Sequence, residues 1–72
     1  LAKLRIFSGK ELCDLLSRRG FSEIRRKGSH IVMQRRDEYS TTTVIVPDHD
    51  ELKIGTLMSI IRQSKLPKSL FE

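Results

Sequence analysis

The chain has one cysteine, Cys13, so an internal disulfide is impossible and nothing points to an oxidising compartment. Set among apolar residues at helical spacing, that thiol reads as a small core side chain. No apolar run approaches the ~18 residues that a membrane span needs, and no charged-then-apolar leader opens the sequence. A cytoplasmic protein with no membrane association is the expectation. Because the chain begins at Leu1 instead of methionine, its natural N-terminus is expected to be missing. Two histidines and one cysteine, without H-x-x-x-H or C-x-x-C spacing, make no ligand set; neither a metal nor a cofactor is expected. Ser8, Ser17 and Ser29 lack the glycine-flanked elbow of a nucleophilic serine. Lys53-Ile54-Gly55-Thr56 lacks the spacing of a phosphate loop. Repeats, linkers and low-complexity segments are absent too.

With 72 residues, one domain over positions 1–72 is expected, and a domain this small removes only about 60% of its unfolded surface from water. Its net charge of +5 makes nucleic acid the first partner to consider. The distribution is sharper than the total. Arg18, Arg19, Arg25, Arg26, Lys27, Arg35 and Arg36 fall within a stretch holding one acid, Glu23. From Asp37 to Glu51 the balance reverses, with Asp37, Glu38, Asp48, Asp50 and Glu51 and neither Lys nor Arg. Such polarisation implies one face for a polyanion and another region kept away from it.

Ser8 and Glu11 have the spacing of a capping box, with Phe7 and Leu12 placed as a hydrophobic staple. Leu12, Cys13, Leu15 and Leu16 form one stripe of a helix over about Gly9 to Arg19, whose wet face carries Lys10, Asp14, Ser17 and Arg18. Arg18 and Arg19 suit its last turn, and Gly20 suits its stop. Three strands follow: a weak one from Phe21 to Lys27, a turn at Gly28, an alternating one from Ser29 to Arg36, and a β-branched one from Thr41 to Val46 closed by Pro47. Leu57, Ile60 and Ile61, with Met58 beside them, mark a second helix, and Leu70 and Phe71 after Pro67 offer an apolar tail. The fold class is α+β, in the order α-β-β-β-α, a three-stranded antiparallel sheet with two helices packed on one face.

If Ile31 and Met33 point into the core, strand alternation turns His30 and Gln34 outward. Arg25 and Lys27 lie across the Gly28 turn, within reach of the same surface. Cations around an imidazole favour its neutral, proton-accepting form, as a general base requires. On RNA, His30 would take the proton of a 2'-hydroxyl, the oxygen would attack the adjacent phosphate, and Arg or Lys would balance the developing charge. The residue types alone leave an ordinary surface histidine as an open reading of His30. His49, in Asp48-His49-Asp50, is open in the same way between a loop residue and a second catalytic or phosphate-steadying group.

The segments "FSGKELCDLLSRRGF", "RRKGSHIVMQ" and "TTVIVPDHDELKIGTLMSIIRQS" together resemble the HicA-type toxins, small bacterial mRNA interferases of HicA/HicB toxin-antitoxin pairs. The likeness rests on Gly9-Lys10-Glu11-Leu12, Gly28-Ser29-His30, Val46-Pro47-x-His49 and Leu52-Lys53-x-Gly55-Thr56-Leu57 in register. It implies a double-stranded-RNA-binding-domain-like fold and a metal-independent endoribonuclease that cleaves mRNA and inhibits translation. It also implies that His30 is catalytic, in a toxin free as a monomer and joined in a hetero-oligomer by a HicB-type antitoxin that occludes its active site. Arg25, Arg26, Lys27, Ser29, Arg35 and Arg36 are the expected RNA-binding residues, and His49 a possible secondary catalytic one. Two positions depart from the pattern. Ile31-Val32-Met33 follow His30 where a second histidine or an aromatic is frequent, and Ile54 replaces a common proline at the second helix start. The rival readings are a noncatalytic RNA-binding module of the same fold and a basic domain that meets only an acidic protein.

Overall fold

The computed structural model describes residues 3–72; Leu1 and Ala2, the first two residues of the expected 1–72 unit, lie outside the described residues. Its elements run α1 (Gly9–Ser17), β1 (Ser22–Lys27), β2 (His30–Arg36), β3 (Thr41–Pro47), α2 (Ile54–Ser64) and a short 3₁₀ helix, Lys68–Phe71. The α-β-β-β-α order and the α+β class are those expected. The three strands form one antiparallel sheet in the order β1-β2-β3.

α1 starts where the capping box puts it. Ser8 Oγ accepts from the Glu11 N–H at 3.0 Å, and Glu11 Oε1 accepts from the Ser8 N–H at 2.9 Å. The helix ends at Ser17, earlier than the sequence suggests, with Arg18 as its cap. Arg18 and Arg19 therefore lie just past the last turn, and Gly20, at φ +94°, makes the reversal into Phe21 that a β-carbon would strain.

Both helices lie on one sheet face. Leu12 and Leu16 from α1, Leu57, Ile60 and Ile61 from α2, and Ile31, Met33, Val44 and Val46 from the sheet belong to one buried cluster. Phe7 and Phe71 complete it edge to face at 6.1 Å between ring centres. The Arg5 N–H donates to the Phe71 carbonyl at 2.8 Å, which ties the segment before α1 to the end of the chain. In so thin a core each buried aromatic or branched side chain is worth roughly 1.5–3 kcal/mol. Phe71 thus stabilises far more than its position four residues after Pro67 would suggest.

β1 is not a regular strand. Its pairing with β2 shifts between Glu23 and Arg25, so Ile24 is the extra residue of a bulge and stands 47% exposed. A bulge changes which side chains share a face: Arg25 and Lys27 go with the open side, Arg26 with the helix side. On β2 the alternation is regular. Ile31 and Met33 are buried under the helices, while His30, Val32 and Gln34 take the other face. Val32 is nonetheless buried, because it occupies the central strand with Arg25 and Ile45 directly across from it and the aliphatic stem of an arginine covers apolar surface well.

Candidate active site

The connection between β1 and β2 is two residues long, Gly28-Ser29. Gly28 has φ +58° and Ser29 is not in the left-handed region, the sign pattern of a type II′ turn, which prefers glycine first and matches strand twist. That turn sets Lys27 directly opposite His30, and on its other side His30 pairs with Pro47 of β3. His30 is exposed at the first position of the central strand.

Three segments converge at this end of the sheet. The Asp48 N–H donates to the Ser29 carbonyl at 2.6 Å, the His49 N–H to the Pro47 carbonyl at 2.9 Å, and the Gly9 N–H to the His49 carbonyl at 2.8 Å. The hairpin turn, the β3–α2 loop and the start of α1 are therefore fastened to one another through backbone bonds. His49 is exposed on that loop, two residues beyond the strand partner of His30. Gly9 is required by this closeness: a β-carbon there would run into the Pro47 carbonyl oxygen.

Of the cations expected to bind RNA, the structure gathers some and disperses others. Lys27 and Arg25 share the face of His30, the first directly across and the second one row along. Ser29 forms the turn itself. Arg36 lies on the same face at the far end of β2, opposite Thr41. Arg26 points to the helix side, where its Nη1 donates to Asp48 Oδ2 at 2.7 Å and its Nη2 lies 3.9 Å from Glu23. Arg35 lies over the Phe21 ring, 5.0 Å from its centre, with Nη1 directed at the Arg19 carbonyl. Arg26 and Arg35 are thus engaged by their own protein, away from His30.

The electrostatics at the loop follow from that arrangement. The Arg26 hydrogen bond holds the Asp48 carboxyl below the usual carboxylate range, and Lys10 and His49 reinforce it. Asp48 is a residue whose role sequence reasoning missed, since it reads as a turn former. Strand alternation was the available signal for Arg26: its neighbours Arg25 and Lys27 share a face from which it must turn away. Among the described residues no group of three or more His, Cys, Asp and Glu side chains is placed to hold a metal ion. The hollow of about 270 Å³ between residues 5–7 and α1 is elsewhere on the molecule, and a polyanion lying on an open sheet face does not require it.

The family model described as "HicA toxin of bacterial toxin-antitoxin" matches residues 9–66. The chain belongs to the HicA toxin family. It is therefore a toxin of a toxin-antitoxin system, and an antitoxin partner is implied. No curated protein matches the chain. The match takes in the whole convergence around His30, from Gly9 at the head of α1 through Gly28-Ser29-His30 to Pro47-Asp48-His49, and continues to the end of α2. No helix of the described residues is long and apolar enough to cross a membrane.

Proposed function

We propose that this HicA-family toxin is a metal-independent endoribonuclease that cleaves mRNA and so inhibits translation, with His30 as general base. The observation that carries the proposal is the position of His30: exposed, first on the central strand, with Lys27 opposite and Arg25 one row away. The imidazole removes the proton of a 2'-hydroxyl. The freed oxygen attacks the adjacent phosphorus, the bond from phosphorus to the 5'-oxygen breaks, and the products are a 2',3'-cyclic phosphate and a 5'-hydroxyl. Lys27 and Arg25 balance the charge that grows on the phosphoryl oxygens. The departing 5'-oxygen needs a proton, and His49, held on the loop fastened to the Ser29 carbonyl by Asp48, is the residue proposed to supply it. Ser29, with Arg36 at the far end of the face, completes the proposed RNA contacts. A HicB-type antitoxin is the proposed partner, occluding this same face in a hetero-oligomer, and the bacterial cytoplasm is the proposed place of action.

His30→Ala tests the proposal. General-base catalysis contributes about 10²–10⁴-fold, so the variant, with an unchanged circular dichroism spectrum and RNA affinity, is expected to lose cleavage by about that factor. Cleavage at the parent rate would remove His30 from the mechanism. RNA binding without cleavage by the parent itself would make the domain a noncatalytic module.

A further inference from the structure

We infer that the toxin takes its RNA as a single strand laid along the open face of the sheet, not as a duplex. The inference rests on the nuclease reading above and names the substrate class for it.

The argument starts from which residues occupy that face. Strand pairing puts Lys27, His30 and Pro47 in one row, then Arg25, Val32 and Ile45, then Ser22, Gln34 and Thr43, and finally Arg36 and Thr41. None of the nine acidic residues of the chain is among them. Glu23 faces the helix side, and Asp37 and Glu38 sit in the turn beyond the last row. The track therefore runs from the general base to the β2–β3 turn with cations at both ends and hydroxyl and amide groups between. Gln34 and Thr43 already hydrogen-bond to each other at 3.1 Å, which orients both for outward contacts. Ile45, across from Val32, is 52% exposed, an apolar spot of the kind on which an unpaired base rests. A single strand presents phosphates and bases together, and this face offers partners for both. The seven residues of β2 span about 20 Å, enough for several nucleotides of a single strand.

Neither the outward side of α1 nor the β1–β2 connection suits a duplex. Recognition of double-stranded RNA by a domain of this topology reaches across about 16 base pairs, touching two minor grooves and the phosphates between them. That reach needs a helix face and an arm. Here the outward side of α1 carries Glu11 and Asp14 between Lys10 and Arg18, all exposed, and the β1–β2 connection is two residues long. Neither can follow a second groove.

The native toxin and fluorescent eight-nucleotide RNA, 2'-O-methylated throughout so that the proposed attack cannot occur, provide the test by anisotropy. The single strand is expected to bind at least about tenfold more tightly than the same strand annealed to its complement. Ile45→Glu and Thr43→Glu, which put acids into the track, are each expected to weaken it by about tenfold or more. Arg18→Glu, on the outward side of α1, is expected to leave it within about twofold. Tighter binding of the duplex, or loss with Arg18→Glu and none with Ile45→Glu and Thr43→Glu, would overturn the inference. So would a face that binds no RNA and only an acidic protein. Failure of the nuclease reading looks different: the strand binds as stated, yet unmodified RNA stays intact.

Discussion

Arg26 donates from Nη1 to the Asp48 carboxylate at 2.7 Å, so the middle cation of the Arg25-Arg26-Lys27 run fastens the protein's own loop while its two neighbours face outward. The pair is partly open to water, with side-chain exposures of 41% and 23%, and such pairs contribute little net stability. A double-mutant cycle of Arg26→Ala and Asp48→Ala, read by urea melts, is expected to give a small favourable coupling. The functional contrast is larger. Neutralising one phosphate-contacting cation lowers the salt slope of RNA binding by about one. Arg25→Ala and Lys27→Ala are each expected to do so, whereas Arg26→Ala leaves the slope in place. Equal slope losses for all three would put Arg26 on the RNA.

Acid should destabilise the fold at both ends of the sheet. Asp48 is held below the usual carboxylate range first by Arg26, Asp37 by the Tyr39 and Ser40 amides, and Glu11 by the Ser8 amide and hydroxyl. Each folded-state value lies under the unfolded one, so each contribution is complete above the ordinary carboxylate pKa of about 4 and disappears as pH falls through the lowered value. Urea midpoints are expected to be level from about pH 5 to 7 and to drop below about pH 4. In Asp48→Asn the drop should be shallower; an unchanged profile would remove Asp48 from the linkage.

Much of this was legible from local chemistry. The Ser8–Glu11 box, the Gly28 turn, the alternation that buries Ile31 and Met33 and exposes His30, and the α2 stripe each depend on residues a few positions apart. What was not legible depends on distant partners. The bulge that exposes Ile24 is a property of the β1–β2 pairing, and no pattern within Phe21 to Lys27 announces it. Arg26 and Arg35 look like free cations in the sequence because Asp48 and Phe21, which engage them, are 22 and 14 positions away. Conversely, the role of Asp48 is hidden by its place in an acidic loop, where turn formation accounts for it equally well.

Gly9 and Gly55 both stand at the start of a helix, but their surroundings differ. A β-carbon on Gly9 would collide with the Pro47 carbonyl oxygen, while one on Gly55 would meet nothing within 4 Å. Overpacking a tight contact costs about 1–3 kcal/mol, and in a domain this small each kcal/mol shifts Tm by roughly 4–8 °C. Gly9→Ala is expected to lower Tm accordingly and to reduce cleavage as well, since its amide holds the His49 carbonyl. Gly55→Ala should raise stability by about 0.4–1 kcal/mol through the unfolded chain alone. Thermal melts of the two variants side by side check the pair, and a neutral Gly9→Ala would mean that α1 does not press on the β3–α2 loop.

Cys13 packs partly buried against the core beneath α1, and burial pushes its thiol up to about 11, with Glu23, Asp48 and Asp14 adding to the rise and Arg26 opposing it. At pH 8 only about one thiol in a thousand is then the reactive thiolate. Native protein is expected to react with a disulfide reagent roughly two hundredfold more slowly than the same protein in urea, where the thiol returns to its ordinary value near 8.5. Because the residue sits on the helix side of the sheet, away from the track that begins at His30, Cys13→Ala should cleave RNA at the parent rate. Rapid native labelling would mean that α1 opens from the sheet. Loss of cleavage without loss of stability would instead bring the thiol into the site.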